Sequence, residues 1–313
     1  MRESARPSTR DPTDDALLAL LLEVSGTPKP GNVDRTRDLD DLHFEAFLGG
    51  AVGARGGLEM AVDGDSLGTA FEDAVAGMAD RAGTNTQFGC LLLLAPLLAA
   101  ASENELSPEG LDRVTRTSTV DDAVAFYRAF EHVDVAVGDP PADAADLDVR
   151  RGGDAEPALR DRGLTLRDVL ALSAAPDGGG SNEEVPDRNA QEWVEGFPRT
   201  FREANRIRRD SGPLTDRAAR AFVRLLAAEP DTLVATNHGP AVAREASTRA
   251  AELVSDARDP DDTTAGAPPA VDLDGAEVLA EAFVEEGINP GTTADLTCAA
   301  LFVALRRGAE VGR

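Results

Sequence analysis

The chain has 313 residues and carries 57 Asp plus Glu against 31 Lys plus Arg, a formal net charge of -26 at pH 7. This charge repels nucleic acid and anionic membranes and so argues against both as partners, while 42% hydrophobic residues are enough for a sizeable core. Because concentrated salt screens such an acidic surface, we expect a salt-adapted cytoplasmic protein.

The length permits one large domain or two ordinary ones; we expect a single domain over residues 16–308, which the resemblance given below makes catalytic, preceded by a flexible tail at residues 1–15. The tail is charged and has no apolar core, so we expect neither a signal peptide nor a membrane anchor. Asp, Pro and Gly cluster in two places, which predicts a loop-rich insertion at about 138–186 and an acidic linker at about 257–270.

Apolar residues recur with helical spacing along the chain and predict an all-α, multi-helix bundle with buried central apolar helices. The run from Phe88 to Ala101 is too short to span a bilayer, so we expect a buried helix, kinked or restarted at Pro96. No segment alternates with a period of two, so no sheet is expected. The predicted helices cover residues 16–24, 44–62, 66–81, 88–101, 120–135, 164–173, 189–208, 215–229, 240–256, 275–286 and 293–307.

The only lysine of the chain lies in the segment Thr27-Pro28-Lys29-Pro30-Gly31-Asn32-Val33-Asp34-Arg35. The Lys29 ammonium suits a phosphate as a compact charge, and Arg35 offers a planar fork for phosphate or carboxylate. Gly31 frees the turn between them, and Asp34 is a candidate ligand for hydrated Mg²⁺. The alternative is a helix stop, which Pro and Gly beside a helix end provide by themselves.

A second polar motif, Gly83-Thr84-Asn85-Thr86-Gln87-Phe88-Gly89, precedes the central apolar helix. Helix N-termini attract phosphate, and Thr84, Asn85 and Thr86 add donors to that end. Capping of the helix is the alternative, since Thr and Asn are good N-caps.

A third motif, Asn289-Pro290-Gly291-Thr292-Thr293-Ala294-Asp295, opens the last apolar helix. Asn289, Gly291 and Thr292 are candidates for nucleotide binding, and Asp295 for a Mg²⁺ ligand or a catalytic base. The alternative for Asp295 is an acid that only favours the helix dipole.

His43 and Glu45 follow an acidic stretch and could supply a general base or a metal ligand, although a lone histidine is often structural. Known nucleotide signatures are missing, because the sequence has no Gly-rich loop ending in Gly-Lys-Ser/Thr and no strand-flanked Gly-x-Gly-x-x-Gly. Any nucleotide site must be of another kind.

The order of these motifs resembles the triphosphoribosyl-dephospho-CoA synthases over about residues 20–305, and indicates a divergent, salt-adapted, archaeal-type member. The resemblance rests on Pro28-Lys29-Pro30-Gly31 with Val33-Asp34-Arg35, then His43, then Gly83-Thr84-Asn85-Thr86 with Gly89, and finally Pro290-Gly291 with Ala294-Asp295-Leu296. After Asn85-Thr86 that family usually has His-Lys-Gly, whereas this chain has Gln87-Phe88-Gly89.

The resemblance implies an all-α pentosyltransferase that moves the triphosphoribosyl group of ATP to a hydroxyl of dephospho-CoA, or of a related acceptor, and releases adenine. It implies ATP as substrate and Mg²⁺ as cofactor, with Asp34 or Asp295 as metal ligand. The catalytic candidates are Glu45, Asp295 and His43. Two alternatives stay open: a Mg²⁺-dependent nucleotide phosphotransferase or hydrolase, and a non-catalytic nucleotide-binding regulator.

Overall fold

The computed structural model of the chain describes residues 10–138, 140, 144–174, 184–255 and 267–311. These residues form sixteen α-helices, two short 3₁₀ segments (Ala145–Leu147 and Val149–Ala155) and one two-stranded antiparallel sheet, which confirms the all-α prediction. The helices are α1 (Pro12–Ser25), α2 (Phe44–Gly53), α3 (Arg55–Asp63), α4 (Leu67–Ala82), α5 (Phe88–Ser102), α6 (Pro108–Arg116), α7 (Val120–Ala129), α8 (Glu156–Arg162), α9 (Leu166–Ala174), α10 (Arg188–Glu195), α11 (Pro198–Arg209), α12 (Leu214–Ala228), α13 (Thr232–His238), α14 (Pro240–Ala251), α15 (Leu273–Glu286) and α16 (Gly291–Arg306). The strands are β1 (Val254–Ser255) and β2 (Ala270–Val271).

Two helices predicted as continuous are interrupted in the structure. The predicted helix at 44–62 is divided into α2 and α3, and that at 189–208 is divided into α10 and α11. The second break lies at Gly196 and Phe197, whose φ angles of 80° and 61° are left-handed and cannot continue a helix. The short helices α6, α8 and α13 were not predicted, because one or two turns carry little periodic signal.

The helices α5 and α16 form the centre of the fold. Both are buried on almost every side, and α16 packs against α1, α5, α11 and α12. Leucines of α5 such as Leu93, Leu94 and Leu97 are fully buried, and the helix runs through Pro96 without restarting. The buried central apolar helices therefore occur as the sequence predicts.

The predicted domain boundaries shift where helices form. Helix α1 begins at Pro12 with Asp11 as its N-cap, so the last residues of the predicted tail are helical; residues 1–9 lie outside the described part. The predicted insertion at 138–186 contains both 3₁₀ segments, α8 and α9, while 139, 141–143 and 175–183 lie outside the description.

The predicted acidic linker at 257–270 lies largely in residues 256–266, outside the described ranges. At its two edges Val254 pairs with Val271, and Ser255 with Ala270, in the antiparallel sheet. Of the helices in the described ranges, none combines the length and the apolar character needed to cross a membrane.

Candidate active site

A cavity of about 1150 Å³ opens beside the first residues of α5, α13 and α16. Pockets for one small molecule usually measure about 300–1,000 Å³, so this one has room for more than a single compact ligand. Part of its lining is a contiguous aromatic cluster, in which the ring of Phe130 lies 4.8 Å from that of Phe88 and 5.3 Å from that of Phe126. Much of the remaining lining is polar.

The second and third motifs meet in this lining. Thr84, Asn85 and Thr86 line the cavity ahead of α5, and the residues that line it from the third motif are Asn289, Gly291, Thr292, Ala294 and Asp295. The N-cap residues of α5 and α16, Gln87 and Pro290, make no side-chain capping hydrogen bond. Asn85 Oδ1 accepts from the Phe88 amide at 3.2 Å, so part of the capping alternative also holds.

Asp295 is the polar centre of the lining. Its Oδ2 accepts from Asn189 Nδ2 at 2.8 Å, and its Oδ1 accepts from Cys90 Sγ at 3.3 Å. Position 89 must be glycine for this arrangement, because a Cβ there would lie 2.0 Å from Asp295 Oδ2. The close approach of α5 to α16 thus depends on Gly89.

The surroundings of Asp295 suit proton transfer near neutral pH. Burial raises the pKa of its carboxyl to about 7, against the opposing hydrogen bonds from Asn189 and Cys90. The negative charges of Asp231 and Glu23 raise the pKa further. A carboxyl that titrates near the working pH is suited to act as a general base.

Asp231 holds the N-terminal end of α16 through hydrogen bonds. Its Oδ2 accepts from the amide and the hydroxyl of Thr293, both at 2.7 Å, and its Oδ1 accepts from the Val234 amide at 3.1 Å. One side chain therefore connects the first turns of α13 and α16.

Lys29 does not reach the cavity surface. Its side chain is 0% exposed, and its Nζ donates to Glu23 Oε1 at 2.5 Å and to Asn32 Oδ1 at 2.9 Å. Glu23 and Asn32 line the cavity, whereas Lys29 lies behind them. Direct phosphate binding, the role predicted for Lys29, therefore has no support in this geometry.

The rest of the lysine segment attaches to the third motif. Gly31 has φ of +73°, and a Cβ there would lie 1.9 Å from the Ile288 carbonyl oxygen, so only glycine fits. Next to it, Asn32 Nδ2 donates to Asn289 Oδ1 at 2.8 Å. Gly31 itself, predicted to bind nucleotide, is not among the residues that line the cavity.

Both carboxylate oxygens of Asp34 accept hydrogen bonds from residues of its own loop. Its Oδ1 accepts from the amide and the hydroxyl of Thr36, and its Oδ2 accepts from Thr27, the Lys29 amide and Arg37. Arg35 is exposed and outside the lining.

Neither of the two predicted metal ligands lies in a cluster of metal-ligating side chains among the described residues. Both oxygens of Asp34 are occupied by donors, and the neighbours of Asp295 are an amide and a thiol. Within the described ranges no group of three or more His, Cys, Asp or Glu side chains is placed to hold a metal ion. The two metal ligands predicted from the sequence, Asp34 and Asp295, therefore do not belong to a larger cluster of such side chains in these ranges.

His43 and Glu45 lie at the start of α2 and point to solvent. The His43 side chain is 64% exposed and faces Asp38 at 3.4 Å, and Glu45 is exposed as well. Neither residue lines the cavity. Of the three predicted catalytic residues, only Asp295 is placed in it.

Glu23, Asn189 and Cys90 were missed as site residues. Glu23 and Cys90 stand in apolar helical runs, which favour a structural reading, and Asn189 stands at the start of a predicted helix. An acid inside the apolar run of α1 was the one available signal, since a buried charge needs a partner.

The lining is acidic. Among the described residues that line the cavity there is no Lys or Arg. The carboxylates in the lining are Glu23, Asp41, Asp134, Asp148, Glu184, Asp187 and Asp295. A polyphosphate must therefore be held there by neutral donors, by helix N-termini and by cations that enter with it.

Comparisons with known proteins cover nearly the whole chain. The sequence profile of the CitG family, described as ATP:dephospho-CoA triphosphoribosyl transferase, matches residues 9–312. No curated protein matches. The fold is similar to a crystal structure from Archaeoglobus fulgidus of a protein provisionally named a triphosphoribosyl-dephospho-CoA synthase, with 21% identity and a TM-score of 0.60 over 83% of this chain and 99% of that chain.

Proposed function

Because this chain belongs to the family of ATP:dephospho-CoA triphosphoribosyl transferases, we propose that the cavity is the place where ATP and the acceptor hydroxyl meet. The enzyme is a pentosyltransferase that moves the triphosphoribosyl group of ATP to dephospho-CoA or a related acceptor and releases adenine. The observation that supports the cavity as its site is Asp295, a carboxyl with a pKa of about 7 between two helix N-termini.

Asp295 is proposed as the general base. The acceptor oxygen forms a bond to the ribose carbon C1′ while the bond from C1′ to N9 of adenine breaks, and the electron pair leaves with adenine. The hydroxyl proton passes to the Asp295 carboxylate, adenine takes up one proton from water as it departs, and Asp295 then releases its proton to water, so the overall reaction is neutral in protons. Asn189 orients the carboxylate through its hydrogen bond to Oδ2.

The triphosphate is proposed to lie at the first turns of α5 and α16. Thr84, Thr86 and Thr292 supply hydroxyls there, and Asn289 supplies an amide. Thr86 Oγ1 is a buried hydroxyl that has no hydrogen-bond partner within the described structure, as expected where a ligand completes the contacts. The aromatic cluster offers a surface on which an adenine base can stack.

Magnesium is proposed to enter with ATP, held mainly by phosphate oxygens and water rather than by a protein ligand set. When bound, the ion neutralises part of the triphosphate charge. This proposal fits an acidic lining in which the described residues provide neither Lys nor Arg. A cytoplasmic location and adaptation to high salt stay predictions from the charge of the chain.

The test is to incubate the purified protein with ATP, Mg²⁺ and dephospho-CoA in concentrated KCl and to measure free adenine by chromatography. We expect adenine and a triphosphoribosylated acceptor, and no adenine after chelation of Mg²⁺. Formation of ADP or AMP would support a phosphotransferase or hydrolase instead. Binding of ATP without consumption of any hydroxyl acceptor in a panel would support a regulator.

A further inference from the structure

We infer that Glu23 is the catalytic carboxylate that stabilises the positively charged ribosyl group in the transition state, and that Lys29 is its positioning residue. This inference rests on the proposed function of the cavity. Lys29, the single lysine of the chain, then acts on the substrate through Glu23 and does not contact it.

The first support is where Glu23 lies. It is in the last turns of α1, is only 1% exposed and still lines the cavity, so almost none of its surface is open to bulk water. A charge in such a place acts strongly on a ligand, because little solvent screens it. Asp295 lines the same cavity, and the negative charge of Glu23 contributes to the raised pKa of its carboxyl.

The second support is how Glu23 is held. The Lys29 ammonium contacts Oε1 from the side away from the cavity and also donates to Asn32 Oδ1. Asn32 in turn donates to Asn289, six positions before Asp295 in the chain. A continuous chain of hydrogen bonds therefore fixes Glu23 relative to the end of α16 that carries the base.

The third support is charge. Burial raises the pKa of Glu23 above its ordinary value, and the Lys29 ammonium opposes that rise. A buried carboxyl without its cation takes up a proton and becomes neutral. The Lys29 ammonium, which pairs with Glu23 Oε1 at 2.5 Å, therefore favours the charged carboxylate against the effect of burial.

That charge has a use in the proposed reaction. As the bond between C1′ and N9 breaks ahead of full bonding to the acceptor oxygen, positive charge develops on the ribose ring. A fixed carboxylate beside the ring stabilises this charge in the transition state more than in bound ATP, where the ring is neutral. Glu23 forms no bond and moves no proton, while Asp295 accepts the hydroxyl proton, so the two carboxyls have separate tasks.

The experiment compares Glu23→Gln, Lys29→Met and the double variant with the wild type, by adenine release and by thermal unfolding. For Glu23→Gln we expect kcat and kcat/KM to fall together by about 100-fold or more, since the lost interaction forms only in the transition state. The acid limb of kcat/KM against pH should also move to lower pH, because a negative charge that raises the pKa of Asp295 is gone.

The double variant separates catalysis from folding. Lys29→Met alone leaves a buried carboxyl without its cation, whereas Glu23→Gln with Lys29→Met leaves no buried charge there. We expect the unfolding temperature of the double variant to recover relative to Lys29→Met while its kcat stays low. Recovery of both would mean that the pair is only structural and would overturn the inference.

A matched control is Glu203→Gln. Glu203 is also buried, at 0% exposed, and also pairs with a buried cation, Arg224, but it does not line the cavity. The folded fraction of this variant should keep the wild-type kcat, and an equal fall in kcat there would contradict the inference. If the wild type itself releases no adenine, the proposed function fails; if it does and Glu23→Gln turns over at the same rate, only the role of Glu23 fails.

Discussion

Two buried pairs of a carboxylate and a cation differ in their position relative to the cavity, although the interaction within each pair is the same. Glu23 lines the cavity and has Lys29 on its other side, and Glu203 with Arg224 lies between α11 and α12. In both pairs each side chain is at most 1% exposed. Only Glu23 also faces the cavity.

The two cations, Arg224 and Lys29, also contact their carboxylates in different ways. Arg224 donates to Glu203 at 2.7 Å and to Asp210 at 3.3 Å, so its planar group joins several acids and ties helices together. Lys29 presents one compact charge to Glu23 and leaves the other side of the carboxylate toward the cavity. A buried ion pair is weak evidence for stability by itself, so its position relative to the cavity carries the functional information.

The largest effect is expected at the cavity carboxylate that moves a proton. Asp295→Asn keeps the shape of the side chain but removes the base, so adenine release should fall by roughly 10²- to 10⁴-fold. Binding of ATP, measured by calorimetry, should change little, because the triphosphate donors remain. Adenine release at the wild-type rate would contradict the assignment of the base.

A direct contrast between the two cations comes next. Lys29→Met and Arg224→Met should each destabilise the fold, as measured by denaturant unfolding. We expect about 3 to 5 kcal/mol for Lys29→Met, where a buried carboxylate loses its cation, and less for Arg224→Met, because Glu203 keeps its pair with Arg206. Only Lys29→Met should also lower the kcat of the folded fraction, because only its partner faces the cavity. If both variants lose turnover equally, the contrast between the pairs does not hold.

The pH dependence of adenine release tests the assignment of Asp295 as the base. Since Asp295 must be unprotonated to accept a proton, kcat/KM for adenine release should rise with pH and reach half its plateau near pH 7. The pKa of this carboxyl is raised from an ordinary value of 3.8. Its contribution to stability is therefore complete at low pH and is lost as pH rises through about 7, a loss that should be absent in Asp295→Asn.

The smallest effect is expected at Cys90. Its thiol donates to Asp295 and lowers the pKa of that carboxyl, so Cys90→Ala should move the midpoint of the kcat/KM profile upward by a fraction of a pH unit. The plateau at high pH should stay close to that of the wild type. Cys298→Ala, one turn of α16 away from Asp295, is the control and should move the midpoint less. A downward shift for Cys90→Ala would mean that the thiol does not stabilise the charged carboxylate.

Much of the fold follows from periodicity. The apolar runs of α5 and α16 predict central buried helices, and both are found there. The breaks after Gly53 and at Gly196 were not predicted, because they depend on how neighbouring helices pack and on left-handed residues that no apolar pattern reveals.

For the site, the sequence by itself marked the three polar motifs and singled out Lys29 and Asp295. The sequence could not decide which side of each loop faces a ligand. A proline-rich loop beside a helix end has the same sequence pattern whether its lysine points outward or inward. The tertiary structure decided this by packing the loop of Lys29 against Ile288 and Asn289, which buries the ammonium on Glu23. The physical reason is that local pattern sets which residues are helical or polar, whereas the pairing of charges depends on contacts between parts of the chain far apart in sequence.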